Sequence, residues 1–187
     1  MPPSKEQKPT DARPSSLILD THHLSPMKLM AKDHEDLLLL SSHLQDAFLP
    51  LHGMVFDMKN RIFSMLCHRF CWEHADQHTF EGNPLYHRVS TGLTFHHIHS
   101  AHYYGFHEDL LHPHEDYNAL ENPSLLHHYY PLNLLMIESE PMDAHTSIRL
   151  VCSGDKALRL TVDAIHCTMG DISHPWPTHH KPFHHHE

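Results

Sequence analysis

The residues of this sequence best suited to chemistry are its histidines, 26 in a chain of 187. Imidazole is a common nitrogen ligand of zinc, nickel and copper, and two imidazoles set two residues apart on a strand face the same way. His97 and His99 have that spacing, with His102 and His107 close by, so His97, His99 and His102 are the candidate metal ligands. His112 and His114, His127 and His128, His179 and His180, and the run from His184 to His186 supply further nitrogens. So many imidazoles predict adventitious binding of zinc, nickel or copper. A dedicated site would need one ligand spacing and carboxylates to orient the rings. These histidines are instead scattered over several segments, which a bias towards His at polar positions would produce. No cofactor is assigned, and zinc or nickel is the metal to expect if one binds.

Cys67, His68, Cys71 and His74 make a tighter local cluster. On an extended strand Cys67 and Cys71 share a face but stand roughly 13 Å apart, too far to share one tetrahedral zinc. Only a bend through residues 68–70 would close that gap, and packed thiols are the simpler reading. The four cysteines, Cys67, Cys71, Cys152 and Cys167, are too few and too interior to their strands for a secreted disulfide framework, and read as reduced.

Arg69, Trp72 and Glu73 are a candidate contact patch, since Arg and Trp are enriched where proteins bind one another. The alternative is that Trp72 plugs the end of a sheet while Arg69 pairs with Glu73 or with an acidic residue elsewhere. His43, Gln45 and Asp46 extend the candidate binding surface on polar positions beside an apolar stripe. No catalytic residue is assigned. With 6 glycines and no phosphate-loop, dinucleotide or nucleophile-elbow string, nucleotide chemistry and the common hydrolase elbow are disfavoured. A Cys–His pair stays open, but among so many histidines proximity in the fold is expected by chance.

These residues must be held by elements that the pattern makes visible. From Ser147 to Asp171 the sequence reads as a hairpin. Ile148, Leu150 and Cys152 alternate with Arg149 and Val151, Ser153-Gly154-Asp155-Lys156 supplies a turn, and Leu158, Leu160 and Val162 alternate again. After Ala164 the apolar parity flips to Ile165, Cys167 and Met169, which predicts a bulge or bend onto another part of the core. Met27 to Ala31 reads as a short strand. Asp33 reads as a helix N-cap, with Glu35 and Asp36 in the first turn and an apolar stripe of Leu37, Leu40, Leu44, Ala47 and Phe48, ended by Pro50. A second hairpin spans Gly53 to Trp72 around Lys59-Asn60. Strand pattern returns at Tyr86 to His102 and at Leu132 to Glu140.

Three stretches together resemble a bacterial family catalogued as domain of unknown function 2948. They are the string D-H-E-D-L-L-L-L-S-S-H-L-Q-D-A up to Ala47, H-R-F-C-W-E up to Glu73, and A-L-R-L-T-V-D-A-I-H-C from Ala157, with Asp171 ahead of Pro175-Trp176. The resemblance covers most of Met27 to Phe183 and implies a small cytoplasmic bacterial protein with no assigned activity, substrate or cofactor. This chain departs from the family in its N-terminal extension, in a longer segment from Phe106 to Tyr130 and in its histidines.

The expected organisation is a disordered extension over residues 1–26, a single domain over 27–172 with a loop or insertion at 107–131, and a Pro- and His-rich tail over 173–187, in which Trp176 docks back on the body. Strands without alternating helices predict an α+β fold. Its sheet should be mainly antiparallel, curled or barrel-like, with one covering helix. Lys plus Arg number 13 against 23 Asp plus Glu, a net charge of −10 with neutral histidine, which argues against a nucleic-acid binder. That balance should shift steeply between about pH 7 and 6 as imidazoles titrate. No apolar run approaches the length of a membrane span, and the N-terminus lacks the core of a secretory signal, so the expected address is cytoplasmic and no membrane partner is expected. The expected role is a non-catalytic protein-binding module whose partner the sequence does not name. Metal binding through the histidines is the alternative, and a Cys–His enzyme the third reading.

Overall fold

The computed structural model describes residues 25–50, 53–75, 79–80, 82–105 and 132–182. Residues 1–24 of the expected extension over 1–26, the loop over 107–131 and the last five residues of the tail lie outside these. Along the chain come β1 (Lys28–Ala31), α1 (His34–Leu44), β2 (Ala47–Leu49), β3 (Met54–Asp57), β4 (Ile62–Phe70) and a 3-10 turn at Trp72–His74. Then follow β5 (Thr79–Phe80), β6 (Asn83–Pro84), β7 (Tyr86–Phe95), β8 (Ile98–Tyr104), β9 (Leu132–Pro141), β10 (Thr146–Cys152), β11 (Lys156–Val162), β12 (Cys167–Asp171) and β13 (Trp176–Thr178).

Eleven of these strands form one sheet in the order β1-β12-β7-β4-β2-β9-β10-β11-β8, with β3 added to β4 and β13 to β7, and each pairing is antiparallel. The sheet is open, with β1 and β8 at its edges, so the barrel-like expectation gives way to an unclosed one. It is nevertheless bent. Strands β7 and β8 stand third and ninth in the order, yet only His96 and His97 join them, so the two halves must fold towards each other. Side chains of both halves share one core, among them Phe63, Leu93 and Phe95 from one side and Leu134, Ile148 and Leu160 from the other.

The hairpin of β10 and β11 pairs Ile148 with Leu160 and Leu150 with Leu158 around a three-residue turn, 153–155, in which Gly154 and Asp155 both have positive φ. The parity flip after Ala164 has a topological cause. The chain leaves the β11 side of the sheet there and enters β12, between β1 and β7.

The helix, the only α-helix among the described residues, starts as expected, with the Asp33 carboxylate accepting from the Asp36 amide at 2.9 Å. Leu37, Leu40 and Leu44 are buried against the sheet, and the Ile137 amide of β9 donates to Ser41 Oγ at 2.7 Å. Its end differs from the expectation. The helix stops at Leu44, Asp46 takes a left-handed φ of 60°, and Ala47 and Phe48 belong to β2. Asp tolerates that conformation better than most residues. In strand geometry Ala47 and Leu49 point into the core two residues apart, and pairing with both β4 and β9 outweighs the helical periodicity.

Candidate functional sites at the two ends of the sheet

Strands β4, β7 and β12 lie side by side, and their inward-facing rows end in chemistry at both ends. At one end the row Phe63-Met65-Cys67 of β4 continues into Arg69, and the row Cys167-Met169 of β12 into Asp171. Between them Thr91 of β7 is paired with both Cys67 and Asp171. Arg69 is 1% exposed. Its Nε and Nη2 donate to Asp171 at 2.9 and 2.7 Å, and its Nη1 and Nη2 to Glu73 at 3.0 and 2.8 Å. Asp171 also accepts from Thr91 Oγ1 and from the Met27 amide, both at 2.8 Å. Burial works against the guanidinium, but the hydrogen bonds to the two carboxylates outweigh it and hold Arg69 firmly charged. Burial likewise opposes ionisation of Asp171 and Glu73, and Arg69 holds both below the usual carboxylate range. A cavity of about 170 Å³ opens beside this cluster, lined by Arg69, Glu73, His74, Asp171, Ser173 and His174 among others.

Arg69 therefore closes the end of the core. The surface part of the expected patch lies at its rim. Trp72 packs on Phe70 with ring centres 4.6 Å apart, and its indole N–H donates to the Gln45 carbonyl at 3.1 Å. Arg88 donates to the Asp46 carbonyl at 3.2 Å. Trp72 and Gln45 so meet in one corner, with Gln45 and Asp46 just beyond the helix rather than in it, while Glu73 turns to Arg69 and His43 lies in the last turn of the helix. Trp176 docks as β13 beside β7, its ring edge-on to His68 at 5.5 Å.

At the opposite end stand Arg61 before β4, His96 and His97 between β7 and β8, His166 before β12, and Asp163 after β11. The three candidate ligands do not converge. His97 has a left-handed φ of 61° and joins His96 and His166, whose rings stack at 4.5 Å. His102 lies exposed on β8 opposite Arg159. Only His99 reaches a ligand-like set, with His145 and Asp163. One donor atom from each lies within 4.8 Å of the others.

His99 Nε2 is in close contact with Asp163 Oδ1, and His145 Nδ1 stands 3.7 Å from the same oxygen. That His145 nitrogen is shielded from solvent and has no hydrogen-bond partner among the described residues. Arg61 takes the other oxygen, Asp163 Oδ2, at 2.6 Å while its Nε donates to the Ile98 carbonyl at 3.2 Å. Hydrogen bonds from His99 and Arg61 lower the Asp163 carboxyl to about 2.

His145 and Asp163 are 18 positions apart in the sequence and match no spacing rule for ligands. The hairpin register carried the signal. With Thr146 opposite Val162, residues 145 and 163 are the next pair outward.

The cysteines are all free and buried, and burial pushes the thiols of Cys67 and Cys71 up to about 12 and that of Cys152 up to about 11. Such thiols are almost wholly protonated near neutrality, which weakens the Cys–His nucleophile reading.

The profile of the family described as protein of unknown function (DUF2948) matches residues 27–112 and 124–184, and the chain belongs to that family. The stretches that carried the resemblance fall on structural parts, with the N-cap and helix in the first, Arg69 and Glu73 in the second, and β11, β12 and Asp171 in the third. No curated protein and no solved structure matches the chain. No helix among the described residues is long and apolar enough to cross a membrane.

Proposed function

We propose that the protein acts by binding, without chemistry of its own, and that the ligand best suited to its geometry is a divalent zinc or nickel ion held by His99, His145 and Asp163. The observation that carries this reading is the orphaned, shielded His145 Nδ1 aimed at the Asp163 oxygen that His99 also contacts. Two imidazoles and a carboxylate are a common donor set for zinc, with bonds of about 2.0–2.2 Å. An ion would replace the direct contact between His99 Nε2 and Asp163 Oδ1. Arg61 on Oδ2 would keep the carboxylate oriented.

The test is thermal unfolding of the full chain with zinc or nickel. An ion bound only by the native site stabilises by about 2.7 kcal/mol at a hundredfold excess over Kd. The wild type should gain that stability, and His145→Gln should lose it while still binding metal through its other histidines. Equal stabilisation of both proteins would overturn the reading.

A protein partner is the second reading, favoured by the corner in which Trp72 docks on Gln45. That contact fixes Trp72 as an aromatic anchor beside Gln45 and Asp46, with Glu73 next to it in sequence and His43 in the helix turn before it. A photo-crosslinking residue at position 43 should give a discrete adduct in cells, and a crosslinker at Lys59, on the far turn, should not. Adducts that are absent or identical at both positions would rule the corner out.

A further inference from the structure

The outer face of the second half of the sheet carries an unbalanced row of charge. Register places Glu138, Arg149, Arg159 and His102 side by side across β9, β10, β11 and β8. They point away from the core, since Leu150, Leu158 and Leu160 fill the opposite face. Like charges directly opposite each other on paired strands destabilise a sheet, yet Arg149 and Arg159 are such a pair. Only Arg149 has a carboxylate, Glu138 at 3.3 Å. Arg159 has none among the described residues. Its Nε is shielded from solvent without an acceptor, and its Cζ sits 5.3 Å from the centre of the Tyr104 ring. Lys156 lines the same groove, whose volume is about 600 Å³. Within the row two arginines thus face a single carboxylate.

We propose that this groove is a binding site for a small phosphate monoester. Two guanidinium forks on adjacent strands, about 5 Å apart at their Cα atoms, can straddle one tetrahedral dianion and share its oxygens. A carboxylate offers the two forks two oxygens and one negative charge, whereas a phosphate monoester offers three oxygens and a charge of about −2. Lys156 closes the side of the site, and the Tyr104 ring offers a flat surface to an aromatic group on the ester. Glu138, Glu140 and Asp155 stand around the groove and repel a long polyanion, so the ligand is a small molecule and not a nucleic acid. The site is separate from the His99, His145 and Asp163 set and does not depend on metal.

The experiment is calorimetric titration of the full chain, in chelator and at low ionic strength, with phenyl phosphate and with inorganic phosphate. Phenyl phosphate should bind one to one, and about tenfold more weakly to Arg159→Gln, as expected when one charge-assisted fork is lost. Salt at about 0.5 M should weaken binding further, because the groove is open to solvent. Thermal unfolding of Arg159→Gln should be no lower than that of the wild type, since a like-charge pair has been relieved, and this separates loss of ligand from loss of fold. No saturable heat with either probe, or equal binding by the Arg149→Gln/Arg159→Gln double variant, overturns the site. Equal affinity for the two probes overturns the role of Tyr104.

Discussion

Strand β4 has an arginine at each end, Arg61 before it and Arg69 within its last turn of pattern, and each meets an aspartate more than a hundred positions later in the chain. Chemically the pairs are alike, but their surroundings are not. The Arg69 and Asp171 side chains are 2% and 4% exposed, and those of Arg61 and Asp163 are 41% and 44% exposed. Buried charges must be fully answered, so Arg69 is held by Asp171, Glu73 and the geometry of three strands. Exposed charges can leave their partners at small cost. The first pair is committed to the fold, and the second is free to exchange partners, which a ligand site requires.

The sharpest way to break this comparison is to remove one arginine at a time. Arg69→Met strands Asp171 as a buried, unpaired carboxylate and should cost about 3–5 kcal/mol in urea denaturation. Removing both members with Arg69→Met/Asp171→Leu should recover much of that loss, because a well-packed apolar pair can replace a buried ion pair. A loss well under 1 kcal/mol for Arg69→Met would place Arg69 with Arg61 as a surface group.

Acid should separate the ends next. Asp171 and Glu73 have folded pKa values below their unfolded ones. Their contribution is complete above about pH 4 and is lost as the pH falls through the folded values. At the other end His96 is lowered by burial and by the nearby His166 and His97, so its contribution starts to fade already below about pH 6.5. Denaturation midpoints measured across the acid range should therefore fall in two steps. His96→Gln should remove the upper step and Asp171→Asn the lower, and a single step untouched by His96→Gln would end the distinction.

The smallest effect belongs to Arg61. Arg61→Gln should leave the melting temperature within the scatter of replicate scans, since the pair is exposed. It should nevertheless weaken zinc stabilisation several-fold, because the guanidinium no longer orients Asp163. Unchanged zinc stabilisation would show that the carboxylate needs no such support.

Much of the local structure was legible in the residues. The Asp33 cap, the stripe of Leu37, Leu40 and Leu44, both hairpins and the pairing of Arg69 with Glu73 follow from interactions within a few positions or from one strand's alternation, and such signals survive in a linear reading. Ala47 and Phe48 fit either period, so the linear pattern extends the helix past its end at Leu44. Only a sheet position between β4 and β9 decides for a strand.

The sequence by itself determined the helix cap and apolar stripe and the alternation of both hairpins, because these depend on neighbours a few positions apart. Tertiary structure alone decided that Asp171 answers Arg69. It also decided that Trp72 rests on Gln45 and that His99, rather than His97 or His102, meets His145 and Asp163. The physical reason is common to all three. These contacts depend on strand order and on the bend between the two halves of the sheet, which the packing of the whole core fixes and no local period encodes.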